Sequence, residues 1–236
     1  MTQENRKGEF LSKDIIFKIY NELKDADSAT KINAFLDYVK TVKQDFDDVL
    51  VESEVAKQLG LIYFQENEYS AALPYFEKVD DIGKRNGKQS DHLNSLLLIR
   101  TNRLLKRYEQ SFYWFNQTLE SINGTESAFC FLDIMGDYVD LCQDANFTFD
   151  SKHELLVNKI IRELGITTKE TNPIKQIHNI REKNRFWNIE LGKIITQKVN
   201  DTERENLLKN YIAECEIKWY KDYVLQMVKR PNENAR

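Results

Sequence analysis

Four aspartates recur at short intervals in the middle of the chain and are potential cation ligands. They are Asp133, Asp137, Asp140 and Asp144. Their intervals of four, three and four residues place the carboxylates on one face of a helix. Such a face can bind a basic peptide or a cation, and the alternative is a row of solvated side chains. A helical di-metal site also needs Glu-x-x-His pairs, which the sequence lacks, so we expect no metal.

The three histidines do not belong to a catalytic or metal-binding motif. His153-Glu154 resembles the start of a zinc-protease motif, but Val157 stands where that motif requires its second histidine. The sequence also has no phosphate-binding loop, no GxGxxG, no CxxC and no GxSxG. We therefore expect a protein that is not an enzyme and that uses no cofactor.

One aromatic run extends from Phe112 to Phe115. Its two central residues, Tyr113 and Trp114, are candidates for a secondary binding surface. The alternative is that they pack against neighbouring helices.

Composition narrows the class of protein. The 236 residues include only eight Gly and three Pro, and 41% are hydrophobic, which favours helices joined by short polar turns. The net charge of −4 argues against nucleic acid as the main partner. Cys130, Cys142 and Cys215 each lie in an apolar helical pattern, so we expect reduced core cysteines in a cytoplasmic protein. No run of 18 apolar residues is present, and we expect no membrane insertion.

Apolar residues recur at helical spacing along most of the chain. Stripes at 11–23 and 32–42 predict two helices near the N-terminus. A polar break follows Gly165, and Asn172-Pro173 then predicts a helix start. The apolar pattern from there to 199 fits one helix or two, and a last helix is predicted over 203–228.

The clearest pair of helices lies between Val55 and Val79. Gly60 falls inside the first helix, where Gly costs about 1 kcal/mol relative to Ala. Its presence therefore predicts the close approach of a second element. Ala72 is small where the two helices are expected to cross, and Phe76 is large one turn later.

The same pattern returns 39 residues later, where Tyr108 matches Tyr69, Ser111 matches Ala72 and Phe115 matches Phe76. Ile99 stands where Gly60 would recur, so we expect the second crossing to be less tight. A third pair is predicted from about Ser127, with Gly136 inside its first helix. Its second helix is predicted to begin at Asp150 or Ser151.

The first pair resembles the tetratricopeptide repeat, whose consensus places residues like Leu59-Gly60, Tyr63, Tyr69, Ala72 and Phe76 at these offsets. The 39-residue period is similar to the long-repeat branch of that family found in bacterial signalling regulators. The resemblance implies an all-α fold, with antiparallel helical hairpins stacked as a right-handed solenoid. We expect a flexible arm over 1–10, repeats over 11–165, a C-terminal helical pair packed on the solenoid over 172–230 and a disordered tail over 231–236.

In that family the first helix of each hairpin lines a concave groove. The resemblance therefore implies groove positions at Lys57, Leu61 and Phe64, and 39 residues later at Leu96, Arg100 and Arg103. We expect these residues to bind a protein or peptide segment that carries an acidic group or a free carboxylate.

The leading function is thus a non-enzymatic scaffold or adaptor, and the alternative is a peptide-sensing regulator of a bacterial signalling system that changes the shape of its superhelix. The oligomeric state stays open, because Trp219, Tyr220 and Tyr223 can cap the core or form a dimer contact.

Overall fold

The chain folds into α-helices, and a computed structural model describes residues 10–87, 92–122 and 126–229. These described residues form eleven α-helices and no strands. The helices are α1 (Lys13–Phe17), α2 (Ser28–Val42), α3 (Asp48–Gln65), α4 (Tyr69–Arg85), α5 (His92–Leu104), α6 (Tyr108–Ser121), α7 (Ala128–Asp144), α8 (Glu154–Leu164), α9 (Pro173–Thr196), α10 (Asp201–Glu214) and α11 (Lys218–Lys229). Residues 1–9 of the predicted arm over 1–10 and the whole predicted tail over 231–236 lie outside the described residues.

Contacts divide the chain into two compact units, Met1–Ser121 and Ile122–Arg236. Helices α1 to α6 belong to the first unit, and α7 to α11 belong to the second. The division into a repeat region over 11–165 and a helical pair over 172–230 stays a prediction, and the contacts divide the chain at a different place.

The N-terminal helices contribute buried residues to the core of the first unit. Helix α1 continues as a π-helical turn from Lys18 to Glu22, and Asp27 caps α2 by accepting a hydrogen bond from the Thr30 N–H. Phe10, the last residue of the predicted arm, is buried, and the Tyr38 hydroxyl donates to its carbonyl at 2.6 Å. The chain is therefore already packed at residue 10.

Helices α3 and α4 form the predicted hairpin with its close crossing. A Cβ placed on Gly60 would lie 2.6 Å from Cε1 of Phe76, a distance that no folded protein tolerates without rearrangement. Phe76 and Ala72 are completely buried. The group that packs closely against Gly60 is thus the Phe76 ring of α4. In the α5–α6 hairpin the Ser111 hydroxyl donates to the Ile99 carbonyl at 2.8 Å, so the two positions matched by sequence to Ala72 and Gly60 are in contact there.

Three helix-to-helix turns share one backbone geometry. Each contains a left-handed residue at the end of the first helix, namely Asn67 (φ 61°), Lys106 (φ 59°) and Asn146 (φ 55°). The N–H of the following residue donates to a carbonyl five residues earlier, and the pairs are Glu68–Tyr63 at 2.9 Å, Arg107–Asn102 at 2.8 Å and Phe147–Cys142 at 2.8 Å. This is the Schellman arrangement, which satisfies carbonyls that a helix end leaves unpaired. The turns recur after 39 and then 40 residues.

The second unit agrees with the predicted helix starts more closely than with the predicted helix lengths. Asp150 caps a 3-10 turn over Ser151–His153, and α8 then begins at Glu154. Asn172 caps α9 with Pro173 in its first turn, and α9 is one continuous helix. The prediction of one last helix over 203–228 is wrong. Cys215 leaves the helical conformation (φ −57°, ψ 130°), and it divides that range into α10 and α11.

Candidate functional site

Within each unit, the candidate site consists of equivalent positions on the first helix of each hairpin, and we call this set of positions the first-helix stripe. It comprises Glu54, Lys57, Leu61 and Phe64 on α3; Leu93, Leu96, Arg100 and Arg103 on α5; and Asp133, Gly136, Asp140 and Gln143 on α7. The left-handed turn residues set this register, because each stripe lies at the same distance before its own turn.

Burial supports the equivalence of α5 and α7. Residues 94–99, 101 and 102 are buried, and so are 134–139, 141 and 142, exactly forty positions later. The stripe positions at Leu93, Arg100 and Arg103 are half-buried or exposed, as are Asp133, Asp140 and Gln143. The two helices therefore turn the same face outward within their own units.

On α3 the predicted groove residues are all partly accessible. Lys57, Leu61 and Phe64 are half-buried. The Phe64 ring meets the edges of two rings of α4, Tyr69 at 5.3 Å and Phe76 at 6.2 Å between centroids. Packing against α4 thus fixes the position of Phe64 on the stripe.

On α5 the two predicted cations are partly accessible, whereas the leucine predicted for the apolar floor is buried. Arg100 and Arg103 are half-buried, which leaves part of each side chain accessible. Leu96 is only 3% exposed, so it belongs to the core and offers little surface to a partner. The exposed apolar side chains at the two ends of the helix are Leu93 and Leu104.

The four aspartates of α7 do not share one accessible face. Asp133 and Asp144 are exposed, but Asp137 is only 1% exposed. Asp140 is partly buried beneath α9. The carboxylates are therefore split between solvent, the core and a helix contact, and within the described residues no cluster of three or more His, Cys, Asp or Glu is arranged to hold a metal ion.

Helix α9 lies on the first-helix stripe of α7. The Arg181 guanidinium donates from Nη1 to Asp140 Oδ1 at 2.9 Å and to the Gly136 carbonyl at 3.3 Å. A Cβ on Gly136 would lie 2.7 Å from Cδ of Arg181, so the arginine stem crosses α7 where Gly leaves room. One turn away, His178 Nε2 lies 3.1 Å from Gln143 Oε1.

The two aromatic candidates on α6 have different environments. Tyr113 is 47% exposed, whereas Trp114 is buried. Only Tyr113 therefore presents a surface. Lys84 Nζ lies 5.3 Å from the centroid of the Trp114 ring, a cation–π contact. The same ammonium pairs with the buried Asp80 carboxylate at 2.6 Å, and this hydrogen bond raises the pKa of Lys84.

The histidine that resembled part of a zinc-protease motif is a core residue. His153 is buried, with its ring 4.9 Å from that of Tyr138 and 6.4 Å from that of Phe149. Burial lowers the pKa of His153, and the neighbouring Lys152 adds to this effect against the opposing charge of Asp150. The imidazole is therefore held neutral among aromatic rings.

Comparisons with protein-family models, with curated proteins and with solved structures found no match to this chain. Among the described helices, none has both the length and the apolar character that a membrane crossing requires.

Sequence reasoning missed the contact between α9 and α7. The sequence feature that could have indicated the stripe positions on α7 is Asn146. It follows Lys106 by forty residues and therefore fixes the register of α7 relative to α5. Gly136 is not the equivalent of Gly60, because it faces an arginine stem rather than an aromatic ring.

Proposed function

We propose that this protein is a non-enzymatic interaction module of the tetratricopeptide-like type, in which the first-helix stripe of the first unit binds a segment of another protein. The observation that carries the proposal is the seating of α9 on α7. There, equivalent stripe positions hold a helix through Arg181 and His178. A face that accepts one helix from its own chain is suited to accept a helix or peptide from a partner.

Charge on the stripe indicates the kind of partner. The first unit carries cations at Lys57, Arg100 and Arg103, each half-buried, and its exposed apolar side chains include Leu93. A guanidinium has five N–H donors and binds carboxylates with directional, charge-assisted hydrogen bonds. We therefore propose a partner segment with acidic groups beside apolar ones, and no nucleic acid.

The second candidate function is ligand sensing, in which binding changes the arrangement of the helices. The polar part of the α7–α9 contact favours it. The Arg181 and Asp140 side chains are 36% and 20% exposed, and ion pairs of this accessibility are weak enough to be exchanged for others. In the first candidate the helices keep their arrangement when the partner binds.

A photo-crosslinking amino acid at Leu61 tests the proposal, and the same amino acid at Asn116 is the matched control. Leu61 lies on the stripe of α3, and Asn116 is exposed on the second helix α6. We expect a crosslinked protein or peptide at position 61 that is absent at position 116 and that purified partner competes away. Equal crosslinking at the two positions, or none at 61, would contradict the proposed function.

A further inference from the structure

We propose that helix α9 pairs with the α9 of a second copy of this chain, in an antiparallel crossing in which Arg185 of each copy lies over Gly192 of the other. This pairing goes beyond the proposed function and is independent of it, because it uses a helix outside the first-helix stripe of the first unit. Three features of α9 support it, namely an exposed apolar row, an interior glycine with open space beside it, and a contact of the same type within the second unit.

The second half of α9 carries large apolar side chains on its surface. Phe186 is 54% exposed and Ile189 is 46% exposed. They are three residues apart and therefore lie on the same side of the helix. Arg185 and Lys193 are exposed beside them. Apolar side chains that are rimmed by charged ones are typical of a surface that another protein covers.

Gly192 lies on this side of α9, and no packing contact among the described residues requires a glycine there. A Cβ placed on it would meet none of their atoms within 4 Å. A Gly inside a helix costs about 1 kcal/mol relative to Ala. At Gly60 and Gly136 this cost is offset by the side chains that pack closely on them. At Gly192 the described chain supplies no such group, so the open space suits a group from a second molecule.

The contact between α7 and α9 shows how an arginine uses such a space. The Arg181 stem crosses α7 at Gly136. Its guanidinium donates to the Gly136 carbonyl at 3.3 Å and to Asp140, about one turn further on, at 2.9 Å. The two helices run antiparallel, because His178, three residues earlier on α9, contacts Gln143, three residues later on α7. A glycine followed by an acceptor four residues later thus seats an arginine of an antiparallel helix.

Helix α9 carries both halves of such a contact on one face. Gly192 is followed four residues later by Thr196, whose hydroxyl donates to the Gly192 carbonyl at 2.8 Å and keeps its oxygen as an acceptor. Arg185 precedes Gly192 by seven residues, which is close to two full turns, so it lies on the same face. When two copies cross antiparallel about a two-fold axis, each arginine reaches the glycine of the other copy.

The symmetry also determines what the apolar side chains contact. If Arg185 lies level with 192–196 of the other copy, as Arg181 lies level with 136–140 on α7, the two-fold axis passes close to Ile189. Ile189 then packs on Ile189 of the other copy. The Phe186 ring lies beside Lys193 of the other copy, which is a cation–π pairing. Both apolar side chains that α9 exposes beside Gly192 are therefore covered.

The size of the contact predicts a weak dimer. Two crossing helices bury less than the about 1,200 Å² at which stable interfaces begin. We expect reversible association with a Kd of about 10–100 μM. A dimer has two copies of the first-helix stripe, so it would bind a partner that has two recognition segments with increased avidity.

Sedimentation velocity of the full chain over about 1–300 μM measures this Kd. Ile189→Glu places two like charges at the axis, and we expect the Kd to rise at least about tenfold. Ile195→Glu is the matched control, because Ile195 is 45% exposed on the same helix but lies about 120° away around its axis. We expect the control to keep the wild-type Kd within about twofold.

Gly192→Ala separates the crossing from a general change in the stability of α9. The added Cβ meets no described atom of its own chain, but it would meet the Arg185 stem of the other copy. We expect the dimer Kd to rise at least about threefold, while the free energy of unfolding, measured well below that Kd, does not fall. Arg185→Ala is expected to weaken the dimer more than Arg185→Lys does, because Lys keeps the stem and the charge.

A chain that stays monomeric up to about 300 μM would overturn the inference, and so would a dimer that Ile189→Glu and Ile195→Glu affect equally. Crosslinking at Leu61 concerns the first unit alone. A crosslinked partner at Leu61 together with a monomeric chain therefore removes only the dimer. A dimer that responds as expected, without a crosslinked partner at Leu61, removes only the proposed function.

Discussion

Gly60 lies under the ring of Phe76, so the residue type at this position sets the separation of α3 and α4. Replacement by Ala gains about 1 kcal/mol in helix propensity. The added Cβ would meet the buried ring at 2.6 Å, and overpacking of this kind costs about 1–3 kcal/mol. We expect Gly60→Ala to lower the free energy of unfolding by up to about 2 kcal/mol, measured by urea denaturation.

Gly192 provides the control for this substitution. It lies inside α9, and a Cβ there meets no atom within 4 Å. Gly192→Ala is therefore expected to stabilise the protein by about 0.5–1 kcal/mol. A stabilising effect at both positions would show that the ring of Phe76 moves aside at little cost.

His153 makes the stability of the second unit depend on pH. Burial and Lys152 lower its pKa in the folded state, so the unfolded chain takes up the proton first as pH falls. Stability is then fully present above the unfolded pKa of about 6.5 and is lost as pH falls below it. We expect the urea midpoint of the wild type to fall between pH 7.5 and pH 5, and that of His153→Phe to fall less.

The carboxylate of Asp150 provides a check on whether His153 causes this pH dependence. The pKa of Asp150 is lowered mainly by its hydrogen bond to the Lys152 side chain, so its stabilisation is lost only at more acidic pH. The same loss in wild type and His153→Phe between pH 7.5 and pH 5 would assign the dependence to groups other than His153.

At the scale of the helix pair, the left-handed backbone conformation in each turn costs free energy that a substitution can measure. Lys106 has a φ of 59°, a conformation that costs residues with a Cβ about 1–2 kcal/mol and costs Gly little. We expect Lys106→Gly to raise the free energy of unfolding by about 0.5–1 kcal/mol after the larger entropy of the unfolded chain is included.

The neighbouring turn shows why the gain is specific to Lys106. Asn67 has the same φ region but accepts a hydrogen bond from the Tyr69 hydroxyl at 2.6 Å. Asn also tolerates this conformation better than Lys. Asn67→Gly is therefore expected to gain less than Lys106→Gly in the same denaturation assay, and the reverse order would contradict this account.

The contact between α9 and α7 predicts a local effect on dynamics. Arg181→Ala removes the bonds to Asp140 and Gly136, and a partly exposed pair of this kind is worth about 1 kcal/mol. We expect faster amide hydrogen exchange over 173–196 with exchange in α3 and α4 unchanged. Lys193→Ala, which breaks an ion pair with Glu190 whose lysine is 66% exposed, is the control and should change exchange little.

Sequence reasoning worked best where one residue type had one physical explanation. Gly60 predicted a close crossing, and Asn172-Pro173 predicted the start of α9. It failed where the apolar pattern continues past the end of a helix. Cys215 and Ile217 are apolar and buried, so the helical periodicity runs past them, and no Gly or Pro marks the end of α10.

The candidate site was predictable in part, for a similar reason. The register of 39 residues located Arg100 and Arg103, because matching residues recur in both hairpins. The burial of Asp137 was not predictable, since four acidic residues at helical spacing are typical of a solvated face. The seating of α9 depends on contacts between residues about forty positions apart, such as Arg181 with Asp140, which no local pattern encodes.

For the whole molecule, scaffold and sensor predict different responses to a bound ligand. Small-angle X-ray scattering of the full chain, alone and with the partner peptide identified by crosslinking at position 61, measures the radius of gyration in each state. As a scaffold the chain keeps its helix arrangement, so we expect no change beyond that from the added mass of the peptide. Contraction on binding would instead favour the sensing function.

The recurrence of the same turn at Asn67 and Lys106 makes the intervening 39 residues an exchangeable cassette. A second copy of residues 67–105 inserted after Leu105 would open with a left-handed residue at the point where Lys106 now supplies one, so both junctions keep their backbone geometry. Duplication or recombination at these points would lengthen the chain one hairpin at a time. Each added cassette would bring its own stripe residues, so that the number and the charge sequence of the stripe positions would evolve independently of the core.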